Sequence, residues 1–167
     1  LTRGLLLPGG SPHPALKATE LTRANSGGTP AVDGSHDDQG ARALAGLGIR
    51  LLQQEDAVQT ADNALVSPIS IASTLGMTAN GAEGVTKEQM ESVLGIETDA
   101  LNEYLAALRL DSPSEPEQEG DPALRLSNSI WLRDTPELDV EQSFLDAAST
   151  WYAASVFSAP FDSSTAH

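Results

Sequence analysis

Residues 63–82 read NALVSPISIASTLGMTANGA, and this stretch decides the fold. It opens on a short apolar run, residues 64–66, that suits a buried strand. Ser67 then offers an N-cap hydroxyl. Pro68 stands where the first helical residue would, a position at which its missing N–H costs nothing. From Ile69 to Ala79 apolar residues surround the helix, the pattern of an interior helix. Asn80 and Gly81 tolerate left-handed geometry and mark its end. Ser67 and Ser70 place two hydroxyls at the mouth of a helix otherwise built for burial. A capping role for Ser67, and a bond from Ser70 back to its own helix, account for them locally.

Upstream, residues 1–38 are rich in Gly, Pro, Ser, Thr, Asn and Asp and show no periodicity, which predicts a flexible tail. Residues 39–56 place Leu44, Leu47, Gly48, Leu51 and Leu52 on one helical stripe, with Asp37 and Asp38 at its positive end. Downstream, VTKEQMESVLG (85–95) predicts a compact helix with a Thr86–Gln89 capping box, a Val85–Met90 staple and Gly95 as its stop. Leu101, Tyr104, Leu105 and Leu108 form the next stripe, with Thr98 or Asp99 as cap. Residues 111–122, DSPSEPEQEGDP, read as a solvated acidic loop without cation-loop spacing.

ALRLSNSIWLRD (123–134) changes period. Leu124, Leu126, Ile130 and Leu132 take one face with Asn128 among them, which is strand alternation. Residues 137–154 return to helix, with Asp139 and Gln142 as a cap pair and Val140, Phe144, Ala148 and Trp151 in line. ASVFSAPF (154–161) is a final short strand that Pro160 brings to an end or an edge. The sum is an α+β order with strands far apart in sequence. They are not expected to form hairpins with one another. They are expected to need partners beyond these residues, and to leave apolar edges that favour aggregation.

Composition narrows the function. The chain of 167 residues is long enough for one domain, with 24 acidic against 9 basic residues and a formal charge of −15. That field disfavours nucleic-acid and membrane-surface partners. There is no cysteine, so disulfides, thiol nucleophiles and thiolate metal sites are excluded. His13 and His36 lie in the tail and His167 is terminal, so a Ser-His-Asp hydrolase lacks its base. The glycine-containing stretches LAGLGIR and NGAEGVTK lack the phosphate-loop pattern, and paired carboxylates fall only on exposed positions. No catalytic residue, metal site or cofactor is assigned, and an enzyme is the least supported class.

Three stretches together resemble the N-terminal part of a serpin, the serine-protease-inhibitor superfamily. They are NALVSPISIASTLGMTANGAEGVTKEQMESVLG, LRLSNSIWLRD and VEQSFLDAASTWYAASVFSAPF, covering roughly residues 40–165. The resemblance implies the N-terminal portion of the serpin fold over residues 39–167. Residues 63–67 would be a strand of the second sheet. Residues 68–80 would be the helix beneath the main sheet, and residues 124–133 and 154–161 would be two main-sheet strands. It further implies that Ser67, Pro68 and Ser70, with Asn63 in support and Asn128 in the adjoining strand, belong to the shutter, where that sheet parts to admit the reactive loop.

The implied parent activity is suicide inhibition of a serine protease, with cysteine proteases as a second target class. A non-inhibitory serpin-fold carrier and a small acidic interaction domain are the alternatives. The reactive loop of the family lies beyond these residues, so the chain alone is not expected to inhibit. Arg109 stands against Asp99 and Glu103 on the helix that carries basic residues in heparin-activated members, so heparin activation is not expected. Family habit implies export.

Overall fold

The computed structural model describes residues 18–32, 38–54, 63–112 and 126–161. In chain order the elements are β1 (Thr19–Thr22), α1 (Asp38–Gln54), α2 (Pro68–Ala79), α3 (Gly84–Leu94), α4 (Thr98–Asp111), β2 (Asn128–Arg133), α5 (Gln142–Tyr152) and β3 (Ala154–Ala159).

The two late strands find each other. β2 and β3 pair in parallel from Asn128↔Ala154 to Arg133↔Ala159, and α5 is the crossover that parallel pairing requires. β1 adds on the far side of β3 and runs antiparallel to it, with a register shift between Glu20 and Thr22. The strand order is β1-β3-β2. As expected, β2 and β3 form no hairpin, but they do supply each other with a partner within the chain. Neither strand is hairpin-spaced, but one helix between them suffices.

Two further element assignments change. No regular element is expected before residue 39, yet β1 forms there, because four residues are too few to show a period. Conversely, residues 63–67 form no strand, and Leu65 is 98% exposed. An extended segment becomes a strand only when a neighbouring strand takes its N–H and C=O groups, and among the described residues no strand does so. Leu124 and nearly all of the acidic loop at 111–122 lie outside the described residues.

Alternation sorts the sheet into two faces. Asn128, Ile130 and Leu132 are partly buried, while Ser129, Trp131 and Arg133 are exposed. On β3, Ala154 and Val156 are fully buried opposite Asn128 and Ile130. Trp131 and Phe157, directly opposed on the other face, stack with ring centroids 4.6 Å apart. The helices cover the inner face, with Leu94, Leu101, Ala72 and Val156 at the centre of the core. Close approach depends on glycine at two points of α1. Gly40 lies against the ring of Tyr104, and a Cβ on Gly48 would come within 2.7 Å of Pro68 Cγ. Leu52, expected on the α1 stripe, is 38% exposed.

Helix ends differ from the cap patterns. α3 starts at Gly84 with Glu83 before it and no side-chain cap bond, so Thr86 lies inside the helix and Val85 is exposed. The capping box and staple do not form. Gly95 does stop this helix, in the left-handed conformation (φ +76°) with its N–H on Glu91 O at 2.8 Å. Thr98 is the first residue of α4 and not its cap. α5 starts at Gln142 after Glu141, so the Asp139–Gln142 cap pair is absent. Its most buried line is Leu145, Ala148, Ser149 and Tyr152, one residue round from the expected stripe. A single residue, Ala153 in left-handed geometry (φ 48°, ψ 38°), joins α5 to β3.

Candidate functional site

α2 begins as the sequence implies, with Pro68 at its first position after an extended Ser67. The Ser67 hydroxyl does not cap the backbone. It lies 2.8 Å from the hydroxyl of Ser70, and both residues are exposed. Thr74 Oγ1 donates to Ser70 O at 2.9 Å, and Thr78 Oγ1 donates to Thr74 O at the same distance. Residues four apart share a helix face, so Ser70, Thr74 and Thr78 make a hydroxyl row along exposed α2. Ala72, Ser73, Gly76, Met77 and Ala79 are buried on the other side. This corrects the picture of a helix apolar on every side. The hydroxyls bond to the helix itself, which satisfies them without a second element.

Thr74 and Thr78 open onto a cleft of about 1340 Å³ whose other wall includes Ser129, Ile130 and Trp131 of β2. Among the described residues β2 is an end strand of the sheet, and β3 occupies its other side. The cleft therefore runs between a regular strand and a hydroxyl-bearing helix.

Of the five residues implied for the shutter, Ser67, Pro68 and Ser70 come together at the start of α2. Asn63 is exposed in coil. Asn128, at the start of β2, donates through Nδ2 to Tyr152 O at 2.8 Å, the carbonyl that ends α5.

A polar cluster absent from the sequence reading lies deeper. Asn80 and Asn102 exchange side-chain amide bonds at 3.0 and 2.9 Å, and Tyr152 OH donates to Asn102 Oδ1 at 2.6 Å. Asn80 Nδ2 also reaches Gly76 O at 2.8 Å. Three helices thus meet through three side chains, two of them, Asn102 and Tyr152, nearly inaccessible to solvent (2% each). Burial pushes the Tyr152 hydroxyl well above its ordinary ionisation range, the contact with Asn80 opposing this in part, so it remains a neutral donor. Gly76 makes room, since a side chain there would strike the Tyr152 hydroxyl. The cluster also explains the end of α2. Asn80 stays right-handed (φ −66°, ψ −18°), with its side-chain Nδ2 and its backbone N–H both donating to Gly76 O. The available signal was Asn102, a polar residue three before Leu105 on an otherwise apolar stripe.

A second clip joins α3 to α4. Glu91 Oε1 accepts from Thr98 N–H at 2.9 Å and from Thr98 Oγ1 at 2.7 Å. These bonds, the backbone one foremost, hold the Glu91 carboxyl below its usual range.

The serpin family model, "Serpin (serine protease inhibitor)", matches residues 42–167. The chain belongs to the serpin family. Serpin A11 of Mus musculus is 34% identical over 130 residues, covering 74% of this chain and 29% of the relative. Neuroserpin of Gallus gallus is 27% identical over 123 residues, covering 74% of this chain and 30% of the relative. The native-state crystal structure of tengpin, a thermophilic serpin, superposes with a TM-score of 0.69 at 31% identity, over 90% of this chain and 37% of that one. The chain thus spans about a third of the serpins it matches, and its helices and small sheet fit an incomplete, N-terminal portion of the serpin fold.

Proposed function

We propose that this chain is the N-terminal part of an inhibitory serpin, with α2 lying beneath the part of the main sheet that moves. The observation that carries this reading is the hydroxyl row of α2, which faces β2 across one cleft. A helix that presents small hydroxyls instead of interlocking apolar side chains leaves a strand above it able to shift. Ser67, Pro68 and Ser70 take the shutter role at the start of that helix. Asn128 holds the start of β2 to α5, and Asn63 belongs to the same region by sequence alone.

The inhibited partner is a serine protease, with cysteine proteases as a second class, and the working compartment is extracellular. Inhibition proceeds by cleavage of a loop outside these residues and insertion of that loop as a strand. The chain supplies receiving structure and no catalytic group. Heparin plays no part. Arg109, the basic residue of α4, turns its guanidinium toward Thr150 O on α5 (3.4 Å), whereas Asp99 and Glu103 face solvent.

The test is a longer open reading frame carrying the downstream residues, incubated with trypsin-like and chymotrypsin-like proteases. An SDS-stable covalent complex is expected. Cleavage of the loop without any complex, across both protease classes, overturns the inhibitory reading and leaves a serpin-fold binding protein.

A further inference from the structure

We propose that residues 18–30, which precede the region matched by the serpin family model, form a built-in cover that closes the outer side of β3 against strand addition by a second copy of this chain. β3 reads ASVFSA, six residues with no charge, no proline and a full parallel ladder to β2 on one side. Left bare, its other side would present a regular row of N–H and C=O groups, which identical copies can share in antiparallel fashion.

β1 replaces that side with a poor template. It is four residues long, it breaks register between Glu20 and Thr22, and it carries the Glu20–Arg23 ion pair at 2.9 Å at its end. Short length, a bulge and charge are three separate ways to discourage further pairing. The segment is also held beyond the ladder itself. Ala24 N–H donates to Ser155 Oγ at 3.0 Å. Arg23 O and Asn25 O accept turn bonds from Ser26 and Gly28 at 3.0 and 3.2 Å. Gly27 rests directly on Ser149 and Thr150 of α5, where a side chain would overlap the Thr150 hydroxyl, and Pro30 is buried. The chain's own N-terminal segment therefore closes the β3 side of the sheet.

Because the chain has no cysteine, the cover can be locked by design. Thr19 and Ser158 are directly opposed in register, a spacing of about 5 Å between Cα atoms that suits a disulfide. Sedimentation velocity compares the unaltered chain, a chain lacking residues 1–32, the Gly27→Val variant, and the oxidised Thr19→Cys/Ser158→Cys chain. Deletion and Gly27→Val are expected to move material from the slowest species to dimers and larger forms. A synthetic peptide of residues 18–32 is expected to reverse the shift in the deletion chain, and the locked chain is expected to match the unaltered one. An unchanged distribution after deletion overturns the proposal. So does a shift that the peptide fails to reverse, because that reports unfolding and not an uncovered strand. Protease inhibition enters none of these readouts, so failure here is separable from failure of the inhibitory reading.

Discussion

Substitution of Tyr152, Asn102 and Gly76 should cost different amounts, and the order follows from the geometry. Tyr152→Phe removes one donor from Asn102 Oδ1, but that oxygen still accepts from Asn80 Nδ2 at 3.0 Å. Nothing buried is orphaned, so the loss is that of an ordinary hydrogen bond, about 1 kcal/mol. Asn102→Leu is worse. It strands the Tyr152 hydroxyl in the interior and removes both bonds that Asn80 makes to Asn102, for about 2–4 kcal/mol.

The double variant should then cost less than the sum of the two, because the stranded hydroxyl is gone. Gly76→Ala drives a methyl into the space of the Tyr152 hydroxyl and to 3.0 Å from Leu101 Cδ2, costing about 1–3 kcal/mol. Its cost should fall in the Tyr152→Phe background. Urea unfolding followed by the fluorescence of Trp131 and Trp151 reads these differences. With a slope of about 2 kcal/mol per molar, 1 kcal/mol moves the midpoint by about 0.5 M. The reasoning is refuted if Asn102→Leu is no worse than Tyr152→Phe, or if Gly76→Ala costs the same in both backgrounds.

Other expectations rest on separate parts of the molecule. The Glu91 carboxyl, depressed by its bonds to Thr98, contributes stability above its unfolded pKa of about 4.3 that is lost as pH falls through the lower folded value. Glu91→Gln should flatten this acid limb of the unfolding midpoint, and an unchanged limb counts against the clip. Gly95→Ala should destabilise by about 1 kcal/mol, through its left-handed φ alone, since a Cβ there meets only Arg50 Nη2 at 3.7 Å. A cost in thermal melts near zero would show that the helix end relaxes. Ser70→Ala should change this chain's stability by no more than about 0.5 kcal/mol because the hydroxyl is exposed; a large loss in urea would mean that the hydroxyl row is structural. Incubation of this chain alone with trypsin-like or chymotrypsin-like protease should give no SDS-stable adduct, and an adduct would contradict the placement of the reactive loop outside it.

Helices with a broad apolar stripe were readable from sequence. Leu47, Leu101, Leu105 and Ala148 are buried as their spacing predicts, and Pro68 and Gly95 stand at the helix ends they predict. Cap chemistry was not readable in the same way. Thr86, Asp139 and Thr98 fit local patterns, but a carboxylate seven residues before Thr98 outcompetes a cap bond. Strands depended on neighbours the pattern does not encode. Residues 64–66 look as apolar as β3 yet remain unpaired, while the polar TELT of β1 pairs because β3 is beside it. At the candidate site, Ser67, Pro68 and Ser70 were legible because they are adjacent in sequence. Asn80, Asn102 and Tyr152 were not, since their meeting is a product of three helices packing.

The one-residue link at Ala153 leaves no slack between Tyr152 and β3. Tyr152 is committed at both ends, its hydroxyl to Asn102 and its carbonyl to Asn128. An insertion of one residue here would hand Ala154 and Val156 to the outer face and turn Phe157 inward, because strand faces alternate with period two. The length of this connection is therefore as informative as any side chain. Comparison of natural variants should find substitutions at position 153 far more readily than any change in spacing across it.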